Sequence, residues 1–429
     1  MPASDAREAI QAIYRIEAPR LVAGLVRLVR DVGLAEELAH DALVAALERW
    51  PREGMPDRPG AWLMATARHR AVDAVRRERL AGRKHGVLAA DADTAPEREL
   101  DSALDDEVGD ELLALVFTAC HPVLSTEAQV ALTLRLLCGL SIDEIARAFL
   151  AAAPTIAQRI VRAKRTLAEA RVPFEVPRGP ALRERLSTVL QVVYLVFNEG
   201  HSATAGEDVI RPALSEEALR LGRVLAGLVP AEPEVHGLVA LMELTASRFP
   251  ARTGREVEPV LLLDQDRARW DRLLAGRGLS ALARAEDLGG ARGPYALQAA
   301  IAACHARART AEETDWPRIA AIYAELAAVE PSPVVELNRA MAVAMAEGPG
   351  AGLALLEALA DEPALRGYHR LPAARGELLA RLGRSGEARA ELERAAGLAH
   401  NAREREMLLL RARGLGEGGD ADSRVRPER

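Results

Sequence analysis

Apolar positions recur every three to four residues through most of this chain, and runs of alternating strand type are scarce. The pattern predicts an all-α protein. Residues 4 to 30 carry one stripe, with Ile10, Ile13 and Tyr14 continued by Leu21, Leu25 and Leu28, and Ser4 or Asp5 as the cap. Pro19 inside that stripe predicts a break and hence a pair of helices. From Asp31 to Trp50, Leu34, Leu38, Ala42 and Ala45 fall on the inner face, and Glu37, His40, Asp41 and Glu48 on the outer one. Pro51 to Pro59 is a Pro/Gly loop. Ala61 to Leu80 then forms a strongly basic helix through Arg68, Arg70, Arg76, Arg77 and Arg79, with Trp62 and Met64 near its start.

The helical pattern lapses at about Gly82 and resumes at Leu112. Ser141 and Glu144 make a capping box that opens a short helix, with Ile145 and Phe149 on one face. Leu150 to Ala153 is brief, and Pro154 suits a first helical turn. The next helix turns Ile156, Ile160, Ala163 and Leu167 inward. It turns Gln158, Arg159, Arg162 and Arg165 outward, with Lys164 nearby. Two helices, a tight turn and a basic outer face on the second describe a helix-turn-helix. An ordinary helical hairpin with a solvated face has the same pattern. The second helix has no side-chain N-cap at Ala152-Ala153-Pro154, which costs about 1 kcal/mol that packing or DNA can offset. Three prolines between Val172 and Pro180 close this unit.

From Ala181 onward helix follows helix with little net basicity. In ARGELLARLGRSGEARAELERAAGL, Gly376, Leu379, Gly383, Ala388, Leu392 and Ala395 stand at the spacing of a tetratricopeptide repeat. Tyr323 and Pro331 fit the second half of an earlier repeat; Ala340, Val343 and Leu356 fit the one between less well. Such arrays offer a concave surface to a peptide or protein ligand. The tail from Gly414, rich in Gly, Asp and Arg, is expected to be disordered.

At 429 residues the chain exceeds one ordinary core. A 49% hydrophobic and 3% aromatic composition implies helices packed through small aliphatic side chains. The formal net charge of −7 excludes a general polycation, so any nucleic-acid surface is local. Asp91 to Glu111 is acidic with Arg98 its lone base, and Arg159 to Arg165 is basic. The acidic run reads as a solvated linker that can also repel DNA or cover a basic surface. Cys120, Cys138 and Cys304 are too widely spaced for a disulfide frame or a zinc knuckle, so buried reduced thiols are expected. With no signal pattern and no membrane-spanning apolar run, the expected place is the cytoplasm, away from membranes.

The outward cations can neutralise phosphates, and Gln158 and the arginines can reach base edges. The Ala61–Leu80 helix, with its aromatic end, suits melted DNA whose bases stack on side chains. A solvated surface helix with Trp62 in the core is an even alternative. Glu199 and His201 stand two apart and share no helix face, and Gly200 fits a helix C-terminus. Asp264 and Asp266 read as caps before the helix containing Trp270. Cys120-His121 lacks further ligands at workable spacing. No Gly-rich phosphate loop, Ser/His/Asp set or HExxH is visible, so neither an enzyme nor a cofactor or metal site is expected.

Together these segments resemble the extracytoplasmic-function (ECF) sigma factors of RNA polymerase, in a subgroup with a long tetratricopeptide-like helical extension. LTLRLLCGLSIDEIARAFL, TIAQRIVRAKR, VYLVFNEGHSA, LLLDQDRARWD and GPYALQAAIAACHARA carry the resemblance, which covers essentially the whole chain. It implies two small helical sigma domains and a repeat domain: region 2 at 1–82, an acidic linker at 83–111, region 4 at 112–176, the extension at 181–415 and a disordered tail at 416–429. Glu37, His40 and Asp41 would then dock on the clamp helices of the largest polymerase subunit. Trp62, Arg68, His69, Arg70, Arg76 and Arg77 would bind and help open the −10 element. Thr155, Gln158, Arg159, Arg162 and Arg165 would read the −35 duplex. His40 and His69 depart from the Gln and Asn common in these factors. Two other readings stand beside this one: a helix-turn-helix regulator that senses through its repeats without polymerase, and a helical hydrolase built on Glu199 and His201.

Overall fold

The computed structural model describes residues 3–85, 108–149, 151–201, 212–252, 260–399 and 401–417. Among them every regular element is helical. The chain divides into two compact units, Met1–Leu195 and Val196–Arg429.

The first unit opens with α1, Ala3–Val29, which passes unbroken through Pro19 where the sequence pattern predicted a helix pair. An interior proline costs about 3 kcal/mol. Ala18, Leu21, Val22 and Leu25 are all buried around it, and that packing outweighs the local penalty. The proposed caps Ser4 and Asp5 have side chains outside the described set. Arg30, in a left-handed turn at φ 55°, leads into α2, Val32–Glu53, whose first turn is capped by the Asp31 carboxylate accepting from Leu34 N–H at 2.7 Å. Helix α2 continues through Pro51, so the loop shrinks to a few residues before α3, Pro59–His85. Ala35, Ala39, Ala42 and Ala46 are fully buried, and these small side chains let α1 and α3 close on α2.

After residues outside the described set come α4, Val108–Ala119, and α5, Thr126–Leu136. Then follow α6, Ile142–Ala148, and α7, Ala153–Glu169. Helix α4 therefore begins four residues before Leu112, where the sequence pattern resumed, and takes in the end of the acidic run. Gly139 turns α5 into α6 at φ 67°, and a Cβ there would meet the Arg15 backbone at 3.3 Å, so both conformation and space call for glycine. Helix α8, Pro180–His201, closes the unit with Leu186, Val189, Leu190 and Val193 buried. The division between units falls inside α8, not at its start where the composition shifts.

The second unit runs from α9, Pro212–Leu228, and α10, Pro233–Ala246, to α11, Arg272–Asp287, and α12, Pro294–Arg307. Helices α13, Trp316–Val329, α14, Pro333–Glu347, and α15, Pro349–Ala358, follow, then α16, Arg370–Arg381, α17, Ser385–Leu398, and α18, Ala402–Glu417. Proline in the first turn starts many of them, where its missing N–H leaves no partner wanting. From α12 onward each helix packs on the next, as a helical-repeat array requires. The α16–α17 pair fits the repeat spacing: Gly376 lies against Leu392 and the Ala388 carbonyl, and Gly383 turns the chain at φ 77°. Helix α18 carries the fold to Glu417, past Gly414 where disorder was expected; 418–429 lie outside the described residues.

Candidate nucleic-acid interface

Helices α6 and α7 form the helix-turn-helix. Ser141 N–H donates to Glu144 at 2.8 Å and Glu144 N–H donates to the Ser141 hydroxyl at 3.2 Å, so the capping box is present. Burial pushes the Glu144 carboxyl up, but the Ser141 donors and Arg15 together hold it below the usual range. Helix α7 starts at Ala152 with no side-chain cap, as its sequence requires. Ile156, Ile160, Ala163 and Leu167 are buried, which turns Thr155, Gln158, Arg162 and Arg165 to solvent; Arg159 is half-buried. Arg165 pairs with Glu169 at 3.2 Å, an exposed contact worth little and easily exchanged for a phosphate. A groove of about 360 Å³ runs beside this face, between the start of α5 and α7, lined by Ser125, Ala128, Thr155, Gln158, Arg159 and Arg162. Lys164 differs from its neighbours: it is largely buried and paired with Glu36.

On α3, His69 and Arg76 are exposed on one face seven residues apart. Arg68 is half-buried with its Nε buried, and the Arg77 side chain lies outside the described set. Arg70 pairs with Asp41 at 2.9 Å, joining a residue read as a DNA contact to one read as a polymerase contact. Trp62 is half-buried and packs edge-to-face on Trp50, with centroids 5.3 Å apart. Part of its ring therefore belongs to the core and only the remainder reaches solvent. Glu37 and His40 on α2 are exposed.

The structure adds Glu36, 8% exposed on α2, a residue the sequence pattern did not single out. Its signal was there: Glu36 stands on the stripe Ala39, Leu43, Ala46 and Trp50, a lone carboxylate on an apolar face.

Other candidates resolve as structural groups. Asp266 accepts from Ala268 N–H at 2.9 Å, and Asp271, rather than Asp264, caps α11. The Cys120 thiol is buried against Thr133, and burial pushes it up to about 12. Cys138 is buried too, whereas Cys304 is only half-buried, short of the burial expected for all three. Gly200 lies at the C-terminus of α8, in its last turn; Glu199 is half-buried and the His201 side chain is outside the described set. Among the described residues no group of three His, Cys, Asp or Glu is placed to hold a metal ion. Among them, too, no helix is long and apolar enough to cross a membrane.

Residues 13–80, α1 to α3, match Sigma-70 region 2, and residues 115–167, α4 to α7, match Sigma-70, region 4. The chain belongs to the ECF sigma-factor family. It is a sigma factor that directs RNA polymerase to promoters. Residues 185–286 of this sigma factor match a family of unknown function (DUF6596), which spans most of α8 through α11. An uncharacterized protein of Rhizobium meliloti (strain 1021) is 44% identical over 388 residues, covering 90% of this sigma factor and 91% of the relative. The extension is therefore shared with that relative as well as the sigma domains. No solved structure matches it.

Proposed function

We propose that this sigma factor reads the −35 duplex with the outer face of α7, while α3 captures unpaired bases at −10 and α2 docks on the polymerase clamp helices. The exposed row Thr155, Gln158, Arg162 and Arg165, backed by buried Ile156, Ile160 and Leu167, carries this reading. A recognition helix needs its polar side chains outward and its spine anchored. At −10, His69 and Arg76 are the exposed side chains; Arg68, Arg70, Arg77 and the outer part of Trp62 complete the surface. Melting relies on single-strand capture, so the protein catalyses no reaction and takes no cofactor, and it works in the cytoplasm.

At the polymerase face Glu37 and His40 are the direct contacts, and Asp41 acts while paired with Arg70. The test is transcription from a cognate promoter with core polymerase and this protein alone. Glu37→Lys, which breaks no internal pair named above, is expected to lower core affinity by roughly tenfold or more, a loss of about 1.4 kcal/mol or more. Equal core affinity for Glu37→Lys would remove α2 from the docking surface. A regulator independent of polymerase would keep promoter binding and show no response to core.

The extension controls the sigma module in cis by binding a peptide or protein ligand on its repeats. A chain ended after residue 201 keeps α8 whole, including the buried Leu186, Val189 and Leu190 that fall within the first unit, and is the informative truncation. Its promoter output is expected to differ from the full chain by several-fold. Unchanged output together with unchanged polymerase affinity would discard control by the extension.

A further inference from the structure

In the second unit arginines from distant parts of the chain gather in one place. Asp271 N–H donates to the Ser247 carbonyl at 2.7 Å, and the 3-10 turns Phe249–Ala251 and Arg267–Arg269 pack side by side. Arg248 and Arg252 flank the first turn, and Arg267 opens the second. The Arg267 guanidinium lies over the Trp270 ring, 5.0 Å from its centroid. It donates to the His305 and Ala308 carbonyls at 2.7 and 2.9 Å and to the Thr314 hydroxyl at 2.9 Å. Those acceptors hold it in place but carry no charge. Arg370, the first residue of α16, is near enough to act on Arg252.

Like charges withdrawn from water together are costly unless an opposite charge answers them. Burial pushes the Arg248 guanidinium down to about 10, with Tyr323 opposing the shift and Arg267 adding to it. Burial, then Arg248 and Arg370, push Arg252 down to about 10 as well, against Glu404. Both stay charged at neutral pH. Among the described residues no carboxylate acts on Arg248, and the two that act on Arg267, Glu312 and Glu313, are exposed. Glu404 is shared, since it pairs with His369 at 3.3 Å and also faces Arg370 and Arg252. His305, 6% exposed, is pushed down to about 3 by burial and by Arg248 and Arg267, so it is neutral. Its Nδ1 and the Arg267 Nε are buried with no hydrogen-bond partner among the described residues. Positive charge and donors are thus in excess here.

We propose that Arg248, Arg252, Arg267 and Arg370 form a binding site in the extension for the phosphoryl group of a phosphorylated ligand. The charge decides the class. Glu404 answers one of the four guanidiniums, and a single carboxylate from a ligand would answer one more. A phosphate monoester brings about −1.5 to −2 at neutral pH and three strong acceptor oxygens, and guanidinium forks match that geometry in pairs. Arg248, Arg252 and Arg267 are half-buried and Arg370 is exposed, so the cluster is open to solvent on one side. The site stands apart from the promoter and control readings above, because binding is measured on the folded chain without polymerase or DNA.

The test is calorimetric titration of the full chain with inorganic phosphate and with pyrophosphate, against chloride at matched ionic strength. One site per chain is expected, with a Kd below about 1 mM for the tighter of the two. Arg248→Met and Arg370→Gln are each expected to weaken binding by roughly tenfold or more, the usual effect of losing one charged hydrogen-bond donor. Arg370 is exposed, so its variant serves if Arg248→Met does not fold. Amide hydrogen exchange in the saturated parent should slow at Phe249–Ala251 and Arg267–Arg269, which places the ligand at the cluster. Glucose 6-phosphate and a phosphoserine peptide separate a small metabolite from a modified protein as the source; binding of either supports the site. No saturable binding of any phosphate up to about 10 mM would overturn the proposal. So would tighter binding of citrate than of every phosphate, protection confined to α7, or folded variants that bind within twofold of the parent.

Discussion

Glutamate at both Arg159 and Arg162 is expected to abolish binding to the −35 duplex, with affinity falling by more than roughly 100-fold at physiological salt. A well-placed base contact contributes about 1–3 kcal/mol, and reversal adds repulsion from the phosphates. Arg162 is exposed and Arg159 half-buried beside the groove, while the spine of α7 is buried on the other side, so the helix itself should persist. Fluorescence anisotropy across a salt series separates the two roles. Removing a cation from a phosphate flattens the slope of log affinity against log salt by about 0.9, whereas removing a side chain from a base edge lowers affinity at every salt. Variants that fold and still bind the duplex within twofold of the parent would show that α7 is not the reading helix.

Phe117→Ala is expected to destabilise the first unit by about 3–5 kcal/mol, the usual cost of emptying a large aromatic site in a core. Phe117 is 1% exposed at the end of α4. Arg185 of α8 donates to its carbonyl at 2.6 Å and stacks its guanidinium 5.5 Å above the ring centroid. Burial already pushes the Arg185 guanidinium down, so losing the ring leaves a desolvated cation with less to face. The chain has two units and is not expected to unfold in one step, so the measurement must report on the first alone. Trp50 and Trp62 lie in that unit and Trp270 and Trp316 in the other. Replacing the latter two by phenylalanine makes urea-induced fluorescence change specific. A shift below about 1 kcal/mol in that transition would mean that α4 and α8 do not share one core.

The α7 face was legible from the chain because everything it needs is local. Ile156, Ile160, Ala163 and Leu167 repeat at helical spacing, the basic residues occupy the complementary positions, and Ser141 with Glu144 marks where the motif begins. The Gly376–Leu392 contact was legible for the same reason, since two short helices and a glycine turn leave one way to pair. Trp62 was readable only as an alternative. Its sequence neighbours allow a base-stacking or a core role, and Trp50, twelve residues away across a loop, places part of its ring in the core.

Periodicity and capping chemistry are properties of neighbouring residues, and they determined the helices, their inner faces and the basic surface of α7. Folding alone decided that Pro19 lies inside one continuous helix, because the burial that outweighs its cost comes from α2, α3 and α4. It decided that Asp41 and Arg70 pair, and that α8 is divided between the two units. It also set Glu36 against Arg135 and Lys164, residues 99 and 128 positions further along the chain. Attraction between charges depends on distance in space, and no local pattern of apolar and polar residues records which distant cation a buried carboxylate will meet.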